Sequence, residues 1–123
     1  MSFKSYKDLE VWRKAMSLVK AIYIATAAYP SEEKFGLVSQ MRRAAVSIPS
    51  NLAEGHARSG GGEFKHFISI AMGSVAELET QTILSVDLNY MAESTGRDVL
   101  SRLDEVGRML RGLYKSLSLH RKE

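Results

Sequence analysis

An all-α fold, an antiparallel up-down-up-down four-helix bundle, follows from three observations on this sequence of 123 residues. Apolar residues recur at three- and four-residue steps along four long stretches, the periodicity of a helix face. Proline, glycine and capping residues punctuate the boundaries between them. Few segments alternate with strand periodicity, and only two prolines occur, Pro30 and Pro49. Four helices joined by short loops favour antiparallel neighbours. The length suits one domain over residues 1–123, with no interior linker and no repeat longer than a heptad.

The first helix is expected over about residues 6–28. Ser5 and Asp8 have capping-box spacing. Leu9, Trp12, Met16, Val19, Tyr23 and Thr26 form one apolar stripe, and Val11, Ala15, Leu18, Ile22, Ala25 and Tyr29 form a second beside it. Pro30 ends the helix by forcing the preceding residue out of the α region. The second helix is expected over about residues 32–57, N-capped by Ser31, with Glu32 and Glu33 in the dipole-favoured first turn. Its apolar positions are Phe35, Val38, Met41, Ala45, Ile48 and Leu52. Pro49 removes one backbone bond and kinks the pattern, and Ser47 or Ser50 is a candidate partner for the freed carbonyl.

Ser59-Gly60-Gly61-Gly62 breaks the chain before a third helix over about residues 63–88. That helix carries Phe64, Phe67, Ile68, Ala71, Val75, Leu78, Thr82 and Val86. A second stripe through Ile70, Leu84, Leu88 and Met91 is interrupted by Glu77 and Gln81. Asn89 closes the helix in the left-handed region. Thr95 and Asp98 have the spacing of another capping box, opening a fourth helix over about residues 96–119 with the seam Leu103, Val106, Leu110, Leu113 and Leu117.

A lone bundle needs one apolar stripe per helix, and the first and third helices carry two. Small residues cluster at Ala44, Ala45, Ala53, Ala57, Ala71, Gly73, Ser74 and Ala76, and Gly73, Gly107 and Gly112 fall inside helices, where close packing would justify them. Self-association in a closed oligomer would bury the surplus stripes; the plainer alternative is one broad core face. No stretch reaches the roughly 20 apolar residues of a membrane span. No signal-peptide pattern begins the chain. Cysteine is absent, which excludes disulfides and thiolate chemistry. The expectation is a cytoplasmic protein without membrane contact.

Net charge is +3, unevenly spread. Residues 1–94 hold ten basic and ten acidic side chains, whereas Thr95 to Lys122 hold seven basic and three acidic. Arg97, Arg108, Arg111, Lys115 and Lys122 share one face of the last helix. Such a stripe, with Arg121 beside it, is a candidate phosphate-binding surface; the alternative is a solvated face complementing the helix dipole. Glu63 and His66 supply one Glu-x-x-His pair, where a di-iron bundle needs two with two further glutamates, so no metal or other cofactor is expected. No serine has a nucleophile signature, the glycine run lacks the P-loop ending, and no small-molecule substrate is evident. Trp12, Tyr6 and Tyr23 read as core or interface aromatics. Arg42, Arg43, Glu54, Glu77 and Glu79 are candidates for a structural ion-pair network, with Glu77 partly buried. The chain reads as a non-enzyme.

Several strings together resemble a known family: Leu9-Glu10-Val11-Trp12, the run from Gln40-Met41-Arg42-Arg43-Ala44-Ala45 through Val46-Ser47-Ile48-Pro49-Ser50-Asn51-Leu52-Ala53-Glu54-Gly55, Ala71-Met72-Gly73-Ser74, and Glu77-Leu78-Glu79. The chain resembles the 23S rRNA-intervening-sequence proteins, from about Phe3 to Tyr90, with the last helix matching in general character only. Asn89 departs from the glycine of a Leu-Gly-Tyr helix ending. The resemblance implies a four-helix bundle assembling into a homopentamer. The family is also similar to the accessory protein of diversity-generating retroelements, a basic pentamer that binds reverse transcriptase and nucleic acid. The resulting expectation is a homo-oligomer that binds RNA or a nucleoprotein partner through the last helix, with Arg108, Arg111 and Lys115 foremost. The alternative is a protein-interaction scaffold without nucleic-acid binding.

Overall fold

The computed structural model describes residues 5–58 and 61–121. Helices α1 (Glu10–Thr26), α2 (Leu37–Ala57), α3 (Gly61–Asp87) and α4 (Glu93–Arg121) carry the chain, with 3-10 turns at Tyr6–Asp8 and Ser31–Glu33. Neighbours run antiparallel, as paired contacts show. Lys14 meets Glu105 at 3.4 Å while Ser17 meets Arg102 at 3.1 Å. Ser47 meets Ser74 at 2.8 Å, and Ser85 meets Met41 at 3.4 Å. Among the described residues α2 packs on α1 and α3 but not on α4, so α2 and α4 occupy opposite corners. The shared core is built from Leu18, Ile22, Met41, Ile48, Leu52, Ile68, Leu78, Leu103 and Leu110, all fully buried.

The capping box at Ser5 and Asp8 forms, but it opens the 3-10 turn rather than α1. Ser5 Oγ accepts from the Lys7 amide at 3.1 Å, and Asp8 Oδ2 accepts from the Ser5 amide at 3.2 Å. Leu9 is extended, and α1 starts after it. Of the two stripes on α1, the one through Val11, Ala15, Leu18 and Ile22 is the core face. On the other, Trp12, Met16 and Val19 are half-buried and Tyr23 is exposed. The helix stops at Thr26, short of Pro30.

Ser31 does not cap α2. It begins the 3-10 turn, and α2 begins six residues later behind Gly36. Glu33 does the capping instead: its Oε1 accepts from the Leu37 amide at 3.0 Å. A Cβ at Gly36 would lie 2.9 Å from that oxygen, so a side chain there would displace the capping carboxylate. Phe35, expected in the core, therefore lies outside the helix and is 88% exposed. α2 runs unbroken through Pro49. Ser47 does not serve the carbonyl freed by Pro49: its hydroxyl pairs with Ser74 and accepts from Asn51 Nδ2 at 2.8 Å.

Ser59 and Gly60 of the expected break lie outside the described residues, while Gly61 and Gly62 already belong to α3. At the far end Asn89 adopts φ 63°, as expected. The Asn89 amide donates to Val86 at 3.0 Å and the Tyr90 amide to Ser85 at 2.9 Å, the bond pattern of a Schellman ending. Thr95 does not cap α4, which starts at Glu93, and Asp98 instead pairs with Arg102 at 2.9 Å. The seam from Leu103 to Leu113 is buried as expected.

Close packing explains different glycines from those singled out. A Cβ at Gly55 would meet Phe67 Cβ at 2.7 Å, and one at Gly96 would meet Val86 Cγ2 at 2.5 Å. Gly73 and Gly112 have nothing within 4 Å, and Gly107 has only ordinary contacts. Gly55→Ala is therefore expected to cost about 1–3 kcal/mol through overpacking, whereas Gly112→Ala should gain up to about 1 kcal/mol from helix propensity. Denaturant unfolding of both variants checks the pair.

Tyr29 is buried, and its hydroxyl has no hydrogen-bond partner among the described residues. Burial raises its pKa from 10.0. Tyr29→Phe is expected to leave stability unchanged or raise it by about 1 kcal/mol. Because the folded state holds the phenolic proton more tightly, stability is full below pH 10.0 and falls as pH rises beyond it. Thermal unfolding across that range should show a shallower alkaline loss for the phenylalanine variant.

Candidate functional site

The basic face of α4 is solvent-facing. Arg97, Arg108, Arg111 and Lys115 are all exposed. Arg108 is the one of them held by an acid: its Nε lies 3.1 Å from Asp104 Oδ2, one turn back. Arg97 borders a hollow that also contains Asp87 and Glu93, so its field is partly compensated. Arg111 and Lys115 have no carboxylate partner among the described residues. The Arg121 side chain and the whole of Lys122 lie outside the described residues.

The five residues considered for an ion-pair network do not pair with one another within the chain. Glu54 instead binds Arg58 at 3.0 Å, and Arg58 also reaches Glu63 at 3.5 Å. Glu77 is exposed rather than partly buried, and accepts a long bond from Gln81 Nε2 at 3.5 Å. Arg43 and Glu77 border one depression between α2 and α3 without touching. Glu79 is partly buried on α3. Among the described residues no three His, Cys, Asp or Glu side chains converge as a metal site, and no helix is long and apolar enough to cross a membrane.

Arg42 has a different task. Its Nε donates to Thr26 Oγ1 at 2.9 Å and its Nη2 to the Tyr23 carbonyl at 3.2 Å. The guanidinium carbon sits 4.4 Å from the centre of the Tyr23 ring. Two directional bonds and a ring face thus fix this cation at the C-terminal end of α1, where it also meets the helix dipole favourably. Thr26 can accept because its own proton goes to the Ile22 carbonyl at 2.7 Å.

Arg42 stands on the wall of a long surface groove between α1 and α2. Val46 divides it. One half, bordered by Tyr6, Trp12, Met16, Val19, Pro49, Ser50 and Ala53, contains no charged side chain. The other, an open depression of about 630 Å³, is bordered by Tyr23, Phe35, Val38 and Ser39 with Lys34, Arg42 and Arg43. A separate apolar edge, Ile70 and Leu84 on α3 with Leu88 just past its end, lies exposed.

Sequence reasoning missed Lys34 and Phe35 because starting α2 at Ser31 made Phe35 a core residue. Gly36 was the available signal: a glycine directly before an apolar run marks a boundary as readily as Ser31 does. The segment is held by Glu33, whose Oε2 accepts from the Tyr90 hydroxyl at 3.3 Å while Oε1 caps α2. Burial, then the Glu33 charge, raise the Tyr90 pKa above its ordinary value.

A sequence profile of the family described as "23S rRNA-intervening sequence protein" matches residues 7–112. Among solved structures, one is similar over 85% of this chain and 95% of its own, with a TM-score of 0.77 and 19% identity. It is described as a protein with unknown function from the S23 ribosomal protein family, from Bacteroides thetaiotaomicron VPI-5482. At that identity the likeness shows the shared fold. No curated protein matches the chain.

Arg42→Lys is expected to lose about 1 kcal/mol of stability, because an ammonium cannot keep both bonds and the ring contact. Arg43→Lys, without such bonds, should change stability by less than about 0.5 kcal/mol. Parallel denaturant titrations separate the two.

Proposed function

Since the chain belongs to the 23S rRNA-intervening sequence protein family, we propose that it is a non-catalytic bundle that self-associates and presents α4 to RNA phosphates. The observation that carries the nucleic-acid reading is the outward row Arg108, Arg111 and Lys115, in which one cation of the three is paired. The Asp104–Arg108 pair is exposed on both sides. Exposed pairs of this kind contribute little and are readily exchanged for a phosphate contact. A polyanion binding there gains entropy by releasing its condensed counterions. A nucleoprotein partner offers the same phosphates.

Self-association is supported by the uncharged half of the α1–α2 groove and by the apolar edge of α3. Trp12, Met16 and Val19 are only half covered, and Val46, Ile70, Leu84 and Leu88 are exposed. Gly73 adds to this: a solvent-facing glycine within a helix costs up to about 1 kcal/mol, and nothing inside the chain comes within 4 Å of its Cβ position. Two different surfaces suit a heterologous contact, which closes into a ring when the rotation between neighbours permits. Five copies are implied by the family resemblance. The rival reading, a scaffold for other proteins, rests on the same apolar surfaces and predicts no salt-dependent RNA affinity.

The test combines assembly and titration. Sedimentation of the full chain should give a closed oligomer, and Val46→Glu should shift it towards monomer while keeping helical content. A monomeric wild type overturns the assembly reading. Anisotropy titration against labelled structured RNA, over a salt series, should show binding whose salt slope falls by about three when Arg108, Arg111 and Lys115 are all reversed. Flat titrations at low salt from a correctly assembled protein overturn the RNA reading and leave the scaffold.

A further inference from the structure

We infer that the cationic half of the α1–α2 groove is a second nucleic-acid site, one that takes a single-stranded segment by stacking a base and holding its phosphates. This rests on the nucleic-acid reading above, but on different residues at a different corner of the bundle. Phe35 and Tyr23 supply ring faces, with Lys34 Nζ 5.5 Å from the Phe35 ring centre and the Arg42 guanidinium 4.4 Å from that of Tyr23. Arg43 adds a third cation on the same wall. No carboxylate borders this depression; Glu77 borders the adjoining one, across Phe35 and Arg43, and none of the three cations forms an ion pair among the described residues.

Each feature answers a requirement of a single strand. Its bases are unstacked and seek aromatic or guanidinium planes, while its backbone seeks cations at intervals. Arg42 is already immobilised by its bonds to Thr26 and Tyr23, so its outer plane is offered without a further ordering cost. Glu33 ties the turn before Phe35 to α2 and to Tyr90, and the Phe35 ring stands 88% exposed on the rim. The depression, about 630 Å³, falls in the usual range for ligand clefts. Ser39 adds a polar residue to its border.

Other occupants fit less well. A second copy docking through an apolar edge would bury three cations without partners, and such burial is strongly unfavourable. That copy suits the uncharged half beyond Val46. A base-paired duplex presents phosphates but no free base faces, so it would leave Phe35 unused. An acidic peptide would meet the cations, but it lacks the alternation of ring and phosphate that matches the alternation on the wall.

The experiment uses the full-length, assembled protein and a labelled single-stranded RNA of about ten nucleotides, with 5-iodouridine for crosslinking. A duplex of the same sequence serves as the comparison. Phe35→Ala keeps every charge and removes an exposed side chain, so folding and assembly are expected to persist and are checked by circular dichroism and sedimentation. The expected result is a single-strand affinity about tenfold weaker for Phe35→Ala, an unchanged duplex affinity, and crosslinks on Phe35 or Tyr23. Arg43→Glu should weaken the single strand similarly and lower its salt slope. Crosslinks confined to α4, with wild-type single-strand affinity in Phe35→Ala, overturn this site and leave the α4 reading standing. Single-strand binding lost on Phe35→Ala but insensitive to reversal of Arg108, Arg111 and Lys115 sustains this site and overturns the α4 reading for single strands. Binding of labelled polyglutamate with no binding of either nucleic acid overturns both and assigns the groove to acidic peptides.

Discussion

A Cβ at Gly55 would lie 2.7 Å from Phe67 Cβ, so only a glycine lets α2 seat this closely on α3. Phe64 closes on the same glycine from the same helix. With α2 seated this closely on α3, its Met41, Ile48 and Leu52 face inward, and the Ser47–Ser74 bond forms midway along the seam. The remaining surface of α2 must then look outward. It carries Arg43, Val46 and Ser50, with Arg42 turned to the α1 side. Short side chains between two neighbouring helices leave grooves, and those grooves are where the unexplained chemistry of this chain sits.

The α1–α2 groove has two characters because two constraints meet there. Towards its Trp12 end, Tyr6 stacks edge-on against Trp12 at 5.4 Å, and the capped 3-10 turn holds Tyr6 in place. The result is apolar surface that water covers poorly. At the other end α1 terminates, and its last carbonyls need donors. Arg42 supplies one to Tyr23, and with it comes a fixed positive charge. A helix terminus thus places a cation where periodicity alone would place another core-flanking residue. Charge separates the halves more sharply than shape does, since Val46 borders both.

Helix number, the seam of α4 from Leu103 to Leu113 and the left-handed Asn89 could all be read from residue order, because each depends on local spacing or on one residue's backbone preference. α1 offered two equivalent stripes, and only its neighbours decide that Val11, Ala15, Leu18 and Ile22 face inward. Boundaries failed where two signals competed. Ser31 is a sound N-cap by type, yet Glu33 and Gly36 together make the better start, through a carboxylate that reaches forward to Leu37. Thr95 lost to an earlier start, at Glu93. The pairing of Glu54 with Arg58 has i,i+4 spacing, but a helix expected to end at residue 57 leaves Arg58 outside it. The basin around Phe35 was out of reach for a compound reason: it needs the right start of α2, the end of α1 and the contact of both with one arginine.

The two cationic surfaces stand on α2 and α4, corners of the bundle that do not touch. One rigid duplex on one subunit therefore cannot span both, whereas a flexible single strand leaving a duplex can. A ring built through the uncharged groove and the α3 edge would leave α4 and the Phe35 end of α2 open on every subunit, repeating both surfaces around one axis. Repetition changes the energetics more than any single contact does. In such a ring, a strand held weakly at one basin would meet the next at high local concentration, so avidity would rise without new contacts. The fields of the α4 rows would also add and draw polyanions in from beyond contact range. On the proposed reading, weak sites on a small bundle, set at fixed spacing by assembly, would suffice to retain an RNA with both paired and unpaired segments.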